Sequence, residues 1–384
     1  MRHLAPILLA FPLTFLPAFA AAILPLHLAA DEDRIATPAT AVDAQPVIQV
    51  ALLLDDSGSM QGLIKQARAH LWDVVSKLAG TRRDGRRPRV EVALYHYGDR
   101  PFLAAPLVPF TTDLDRMSAQ LFAINGGGGE EACGEVIRNS LVQLAWSTRP
   151  QDLRLIIIAG NEPFTQGGYD WRDACREAAT RGIRVNTVHC GSAAEGVQGQ
   201  WDQGAKLGNG IFSCIDHNVV ERPIMAPQDD RIGALNQQLN ATYCAFGANG
   251  AAGLAEQRRQ DENAAQLAPQ AASSRAVAKA SVAYDNARWD LVDAEAKGQV
   301  DLATMRREEL PAELAALDTA GRRAVIAAKA AERATIQAEI ATLAKDRAVF
   351  VESERLKSGS APSLGSALVE AVSSQAATAG YVVE

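Results

Sequence analysis

The feature that most constrains the fold is a near-continuous apolar run that ends in a cluster of acidic and hydroxyl side chains. The run Val47–Leu54 (VIQVALLL) shows no polar alternation and leads directly into DDSGSM. Such a run predicts a strand buried on both faces, as in a parallel sheet covered by helices. The sequence therefore predicts an α/β protein with polar residues gathered where a central strand ends.

Further apolar segments alternate with amphipathic helices up to about residue 247. The other predicted strands are Arg89–Tyr97, Leu103–Phe110, Leu153–Ala159, Ile183–His189 and Gly210–Ile215. The predicted helices cover roughly Gly62–Ala79, Asp113–Ile124, Gly134–Trp146, Asp170–Arg181 and Asp230–Phe246. The second of these strands follows its predecessor so closely that we expect a hairpin edge strand. The alternation predicts a doubly wound, mostly parallel sheet, in which ligands bind beyond the carboxyl ends of the strands.

The amino-terminal residues 1–30 predict export. Arg2 and His3 precede an apolar stretch, and Ala18, Phe19 and Ala20 form a small-x-small cleavage site. This pattern is typical of a secretory signal peptide, and an uncleaved N-terminal membrane anchor is the alternative. Both place the protein in the periplasm or cell envelope and confine membrane contact to this segment. Residues 31–46 are polar and rich in Pro and Ala, which predicts a linker.

The chain changes character after residue 247. Residues 251–357 are dense in Ala, Glu, Arg and Gln, and predict an α-helical region. A seam of alternating three- and four-residue steps contains Ile326, Ile336, Ile340, Leu343 and Phe350, with Lys329, Arg333 and Arg347 at its other positions. This spacing predicts a helical hairpin or a short coiled coil. Residues 358–384 are expected to form a C-terminal tail with one short helix in Leu364–Tyr381.

Charge and cysteine content narrow the classes of function. A net charge of −7 argues against nucleic-acid binding. The five cysteines contain no Cys-x-x-Cys pair, so a zinc ribbon or a thioredoxin-like centre is not supported. Cys175 and Cys190 are predicted to lie toward the same end of the sheet. An exported protein could join them in a disulfide or bury them as two thiols, and the sequence leaves both open.

The DDSGSM turn has the chemistry of a cation site. Asp55, Ser57 and Ser59 alternate along the turn and Gly58 allows it to bend. A carboxylate and two hydroxyls suit a hard divalent cation such as Mg²⁺, which prefers oxygen ligands and retains several waters. The sequence predicts that the two serines bind directly and that Asp55 supplies charge and orders water.

This Asp-x-Ser-x-Ser turn after an apolar strand resembles the first element of the metal-ion-dependent adhesion site of von Willebrand factor type A (vWA) domains. The resemblance extends over residues 47–247 and implies a Mg²⁺ or Mn²⁺ site that engages an unidentified protein partner, whose acidic oxygen completes the coordination. The family's two further elements fall at Gly126–Glu131 and Gly160–Pro163. There this chain offers Glu131, or Glu130, where the family has Thr, and Asn161 where it has Asp.

The chain also resembles bacterial exported proteins that combine such a domain with an Ala-rich helical C-terminal region. Three segments carry this resemblance, namely GNEPFTQGGYDW, VNTVHCG and RWDLVDA. It implies an architecture and no established activity.

Three hypotheses about function follow from the sequence. The first is a non-enzymatic exported protein that binds its partner through the cation. The second is a metal-independent envelope scaffold with a degenerate site, which the altered residues Glu131 and Asn161 favour. The third is a hydrolase that uses His189, Cys190 or the Glu130–Glu131 pair, although neither His189 nor Cys190 has a recognisable catalytic partner in the sequence.

Overall fold

A computed structural model describes residues 45–98, 106–126, 131–215, 224–358 and 364–383. The predicted leader 1–30 and nearly all of the predicted linker 31–46 lie outside these ranges. Within them, no helix combines the length and apolar character needed to cross a bilayer. Residues 45–384 form one compact unit. The boundaries predicted near residues 247 and 358 therefore mark changes in sequence character. That they separate domains remains a prediction.

The elements alternate as the sequence predicts. The strands are β1 Val47–Asp55, β2 Thr81–Arg82, β3 Arg89–Tyr97, β4 Val108–Thr111, β5 Leu153–Gly160, β6 Arg184–Cys190, β7 Phe212–Ile215 and β8 Val382–Val383. The helices of the first part are α1 Gln61–Ala79, α2 Leu114–Ala123, α3 Cys133–Gln143, α4 Trp171–Thr180, α5 Ala193–Gln198, α6 Trp201–Leu207 and α7 Asp229–Thr242. The later helices are α8 Gly250–Leu267, α9 Pro269–Ala280, α10 Leu291–Ala296, α11 Ala312–Ala315, α12 Thr319–Ser358 and α13 Leu364–Thr378.

Six strands form the main sheet in the order β4-β3-β1-β5-β6-β7. All neighbours are parallel except β4, which pairs antiparallel with β3. This confirms the doubly wound, mostly parallel sheet and the hairpin edge strand, although residues 99–105 at the start of that segment lie outside the described ranges. All nine residues of β1 are buried, as its continuous apolar pattern predicts for a central strand.

Side chains of the sheet alternate between two apolar cores. One core joins Leu52 and Leu54 of β1 to α1, α2 and the later helices. The other joins Ala51 and Leu53 to α3, α4 and α6. This alternation bears on Cys175 and Cys190, for which the sequence leaves a disulfide or two buried thiols open. Cys190 lies in the first core and Cys175 in the second, so the sheet separates their side chains, and both are free thiols in the structure.

The helical region packs onto the sheet domain through α9, which lies against α1. The 40-residue helix α12 contacts α7 and α9, which have 14 and 12 residues. Ile326, Ile336 and Ile340 are buried on its inner face, as their spacing predicts. The helical character of residues 251–357 is confirmed. In the described part of the chain, α12 packs against several shorter helices and not against a second long helix, as a two-helix coiled coil would require.

Buried ion pairs fix the packing of this region. Arg275 of α9 is 1% exposed, pairs with Asp115 of α2 at 2.7 Å and also contacts Asp261 of α8. Arg333 of α12 pairs with Asp290 at 2.6 Å. Removing one partner of such a pair leaves an uncompensated buried charge, which costs about 3–5 kcal/mol. These pairs therefore specify which segments pack against one another.

The last helix, α13, is part of the sheet domain's core and not a peripheral tail. Leu364, Leu368, Val372 and Ala376 belong to the same apolar core as β1 and α1. The backbone amide of Leu364 donates to Gln66 of α1 at 2.8 Å. Beyond the helix, β8 pairs antiparallel with β2, and the Tyr381 hydroxyl donates to the carbonyl of Val47 at 3.3 Å. The predicted short helix is confirmed, but its place in the core has no signal in the sequence.

Candidate functional site

The candidate site lies where the order of the sheet reverses. The chain runs from β1 to β3 on one side of β1 and then crosses to β5 on the other side. In a doubly wound sheet this reversal opens a crevice beyond the carboxyl ends of the two central strands. Asp55 is the last residue of β1 and leads into the turn at Asp56–Met60, and Asn161 follows β5, so both predicted elements enter the same crevice.

Asp55 is the deepest polar side chain of the site. Its residue is 0% exposed, and its Oδ1 accepts a hydrogen bond from the amide of Ser57 at 2.8 Å. Its Oδ2 is buried without a hydrogen-bond partner. Burial raises the pKa of the Asp55 carboxyl to about 6, and the hydrogen bonds from Ser57 oppose this rise. A buried carboxylate oxygen with no partner favours a positive charge beside it.

Close packing holds Asp55 in this position. A Cβ at Gly160 would lie 2.6 Å from the Tyr97 hydroxyl and 3.0 Å from Asp55 Oδ2, so only glycine fits at the end of β5. The Tyr97 hydroxyl in turn donates to the carbonyl of Ala159 at 2.9 Å. The two strands on either side of β1 thus close around the Asp55 carboxylate.

The two hydroxyls and the amide predicted for the site lie together. Ser57 Oγ and Ser59 Oγ are 3.1 Å apart, and Asn161 Nδ2 donates to Ser59 Oγ at 3.3 Å. Asn161 Oδ1 is buried without a hydrogen-bond partner. Hydroxyl and amide oxygens of this kind are ligands that Mg²⁺ and Mn²⁺ accept. Asp55, Ser57, Ser59 and Asn161 are therefore brought into one cluster of oxygen donors.

Glu131 lies in the loop that precedes α3. It is 8% exposed, and its backbone amide donates to Gln166 Oε1 at 3.2 Å. Burial, and then the charge of Asp55, raises the pKa of the Glu131 carboxyl. The charges of Glu162 and Asp56 act in the same direction. Glu131 thus lies within electrostatic range of Asp55, whereas the alternative Glu130 lies outside the described residues.

Three further polar residues at the site were not predicted as site residues from the sequence. Asp56 is 4% exposed, its Oδ1 has no partner, and its Oδ2 lies 2.5 Å from His96 Nδ1. Gln166 Nε2 donates to Glu162 Oε2 at 3.2 Å. Asp56 and Glu162 directly follow the predicted ligands Asp55 and Asn161 in the sequence. Their position next to these ligands is a signal from which both could have been predicted. Gln166 has no such signal because its position depends on how the loop after β5 folds.

The donor set fits a hard divalent cation better than a soft one. In the described part of the chain, no three His, Cys, Asp or Glu side chains are grouped so that they alone could hold a metal ion. The cluster consists instead of two hydroxyls, one amide and the unpaired Asp55 oxygen, a set that would leave positions for water. Such a partly hydrated oxygen shell is typical of Mg²⁺.

His189 and Cys190 do not form a catalytic pair. They are successive residues at the end of β6, so their side chains point to opposite faces of the sheet. The His189 ring lies 5.7 Å from the Trp201 ring, and Cys190 packs into the core that contains β1 and α1. Burial raises the pKa of the Cys190 thiol well above its usual range, so the thiolate form that a nucleophile needs is disfavoured.

Comparison with solved structures finds folds similar to part of this chain. The BatB protein of Bacteroides thetaiotaomicron is 20% identical, with a TM-score of 0.33, over 44% of this chain and 90% of its own. Proximal thread matrix protein 1 of the mussel byssus, solved with a zinc-occupied MIDAS motif, is 12% identical, with a TM-score of 0.35, over 45% of this chain and 42% of its own. An aerotolerance-related membrane protein of Bacteroides fragilis is 20% identical, with a TM-score of 0.32, over 44% of this chain and 92% of its own. No curated protein matches the chain.

Comparison with families of known domains gives a direct assignment. The von Willebrand factor type A domain matches residues 49–198, which run from β1 to the end of α5. This range contains every residue of the cluster at the end of the sheet, from Asp55 to Gln166. Together with the strand order and the Asp-x-Ser-x-Ser turn, the match shows that residues 49–198 of this chain belong to the von Willebrand factor type A domain family.

Proposed function

We propose that this protein is a non-enzymatic, exported binding protein that engages a protein partner through a divalent cation, Mg²⁺ or Mn²⁺, held at the end of the sheet. The observation that carries the proposal is the buried, unpartnered Oδ2 of Asp55 beside the Ser57 and Ser59 hydroxyls. Ser57 and Ser59 would bind the cation directly. Asp55 and Asn161 would act through water, and Glu131 would be the ligand from the loop before α3.

A bound cation would remove the electrostatic cost of this arrangement. The burial that raises the pKa of Asp55 to about 6 also makes its charged form unfavourable in the free protein. A divalent cation supplies the missing charge at a position where water would otherwise have to enter. Ligand binding then stabilises the fold by about 2.7 kcal/mol when the cation is present at about 100 times its Kd.

Cation titration tests the proposal. We expect isothermal titration calorimetry to detect Mg²⁺ or Mn²⁺ binding and the thermal unfolding midpoint to rise with cation concentration. Asp55→Asn should abolish both responses because it removes the buried charge. The fold should persist, since an amide oxygen can still accept the hydrogen bond from Ser57. The matched control is Asp346→Asn, at an exposed position on α12, which should leave both responses unchanged. A wild-type protein with no response to either cation would refute the proposal.

The competing hypothesis is a metal-independent scaffold. It is favoured by the absence, within the described ranges, of a three-residue His, Cys, Asp or Glu group that could hold a metal. Capture of partners from a cell-envelope extract, with and without a chelator, separates the two. Partners that are lost on chelation, and also lost with Asp55→Asn, support the cation-dependent function. Partners retained in both cases support the scaffold.

A further inference from the structure

A hairpin rich in arginine joins α1 to β3. Its arginines are Arg82, Arg83, Arg86, Arg87 and Arg89. Arg83 and Arg86 exchange both backbone hydrogen bonds at 2.9 Å. Between them, Asp84 and Gly85 have φ angles of 50° and 73°, which is the geometry of a two-residue type I′ turn. The Arg83 guanidinium lies 5.7 Å from the centre of the Tyr381 ring, which belongs to the core of the sheet domain, so the hairpin is fixed to that core.

Further arginines lie at the edge of the main sheet where the parallel strands begin. Arg89 is the first residue of β3, Arg154 the second of β5 and Arg184 the first of β6. Because these strands are parallel, their amino ends meet at one edge. Residues 81–91 and 149–154 hold seven arginines and three acidic residues, an excess of four positive charges. A chain with a net charge of −7 therefore concentrates positive charge at this edge.

The chain enters the basic edge from the predicted leader. The side chain of Gln45, the first described residue, donates to the carbonyl of Arg87 at 3.2 Å, and the Gln45 carbonyl accepts from Arg149 at 2.8 Å. Residues 4–30 are largely apolar, and residues 31–44 join them to Gln45. Even fully extended, this connection spans only about 50 Å. A chain that keeps residues 1–30 as an anchor therefore holds the basic edge near the bilayer.

We propose that the amino-terminal edge of the main sheet, with its arginine hairpin, is a membrane-facing surface that binds the phosphate headgroups of an anionic bilayer. Arginine suits this contact because its planar guanidinium forms paired hydrogen bonds with phosphate. The cation cluster lies at the other end of the nine-residue strand β1, on the order of 25 Å away. Contact through the hairpin thus directs that cluster away from the bilayer. Headgroup binding needs no cation at the cluster, because the two surfaces lie at opposite edges of the sheet.

Vesicle binding tests the proposal. The protein is the chain of residues 45–384, which form one compact unit and lack the apolar leader. We expect it to sediment with vesicles of phosphatidylglycerol and phosphatidylcholine, and not with phosphatidylcholine alone. Arg86→Gln combined with Arg87→Gln should weaken binding by about tenfold or more, since each arginine near an anionic surface contributes a factor of about five.

The matched control removes the same charge from another surface. Arg258→Gln combined with Arg259→Gln, at exposed positions of α8, should bind vesicles as the wild type does. Both double variants should keep the circular dichroism of the wild type. Equal binding by the wild type and the Arg86 and Arg87 double variant, or equal binding to the two kinds of vesicle, would overturn the proposal. Binding to soluble poly-L-glutamate but not to vesicles would also overturn it and would assign the edge to an acidic protein.

The full chain provides a second measurement with the leader in place. In nanodiscs of the same two lipid compositions, amide hydrogen exchange at residues 84–87 should slow beside the anionic lipid and not beside the neutral one. The Arg86 and Arg87 double variant should exchange equally in both. Equal exchange of the wild type in the two lipids would show that the hairpin does not meet the headgroups.

Discussion

Two aspartates of this protein show how differently the same type of side chain behaves in two buried environments. Asp55 has an oxygen with no partner, and burial raises its pKa to about 6. Asp261 is also largely buried, but it contacts both Lys279 and Arg275. Burial alone would raise the pKa of Asp261, yet those two positive charges hold it at about 2. The first arrangement suits a site that takes a cation, and the second suits a permanent structural contact.

Asp261 makes stability depend on pH in acid. Because its folded pKa is about 2, below the ordinary value of 3.8, the unfolded chain takes up the proton first. The contribution of Asp261 is therefore fully present above about pH 4 and is lost as the pH falls toward 2. We expect up to about 2 kcal/mol of the free energy of unfolding to disappear over this interval. Urea unfolding at a series of pH values measures it.

The control for this experiment is a pair of variants. Asp261→Asn should flatten the acid-dependent part of the stability curve and lower stability at neutral pH, because Lys279 and Arg275 then lose a buried partner. Asp230→Asn, at an exposed position of α7, should reproduce the wild-type curve. An Asp261→Asn protein with the same acid dependence as wild type would show that the contact with Lys279 and Arg275 does not set the pKa.

The sequence predicts those site residues that share one turn or directly follow a recognisable strand. Asp55, Ser57 and Ser59 share one turn, and the end of β5 is recognisable from its own apolar run, so Asn161 could be placed beside them. The residues that join distant loops have no such pattern. The contacts of Gln166 with Glu131 and Glu162, and of His96 with Asp56, require knowledge of how separate loops pack.

At the scale of elements, α12 is held by charge as well as by apolar packing. Its Arg333 donates to Asp290 at 2.6 Å and to Asp293 at 2.6 Å, and it also donates to the carbonyl of Thr242 at 2.9 Å. The guanidinium carbon lies 4.3 Å from the centre of the Tyr243 ring. This one side chain therefore joins α12 to the end of α7 and the start of α10.

Arg333→Ala should destabilise the protein strongly. It would leave Asp290, which is 0% exposed, as an unpaired buried charge, and we expect a loss of about 3–5 kcal/mol. Chemical unfolding measures this loss. Arg355→Ala on the same helix is the control, because the pair that Arg355 forms with Glu352 is exposed and its loss should cost less than about 1 kcal/mol. Equal effects of the two substitutions would contradict the assigned role of Arg333.

The order and type of the main-sheet elements could be predicted because each carries its own periodic pattern. The helices after residue 247 could be recognised as helices for the same reason. Their packing partners could not. Arg333 and Arg347 are charged, and their sequence pattern alone does not predict their burial. Their partners are Asp290, which precedes α10, and Asp229, at the start of α7. Burial of α13 depends likewise on a groove made by α1 and the sheet.

At the scale of the whole molecule, the sheet domain depends on residues far beyond its family match. Leu364, Leu368 and Val372 of α13 lie in one apolar core with β1 and α1, and Ile336 and Ile340 of α12 extend that core. The match to the vWA domain ends at residue 198. The stable folding unit is therefore expected to be larger than the family domain.

A chain shortened to residues 45–358 tests this dependence. Without α13 it should unfold with a lower midpoint or without cooperativity, and it should bind a dye that reports exposed apolar surface. In the full chain, Leu368→Ala should cost about 2–5 kcal/mol as a buried substitution. Val349→Ala, which is 73% exposed, should be nearly neutral. A shortened chain with the stability of the full chain would show that α13 is dispensable.

The contact of α13 with α1 also dictates when this protein can fold. The amide of Leu364 reaches a side chain that lies 298 residues earlier in the sequence, and Tyr381 reaches back 334 residues to Val47. A chain emerging from the ribosome therefore presents its central strand long before the helix that covers it has been synthesised. Closing such distant contacts is slow because a long loop must first be ordered. The contacts that complete this core can therefore form only after Leu364 and Tyr381 have been synthesised.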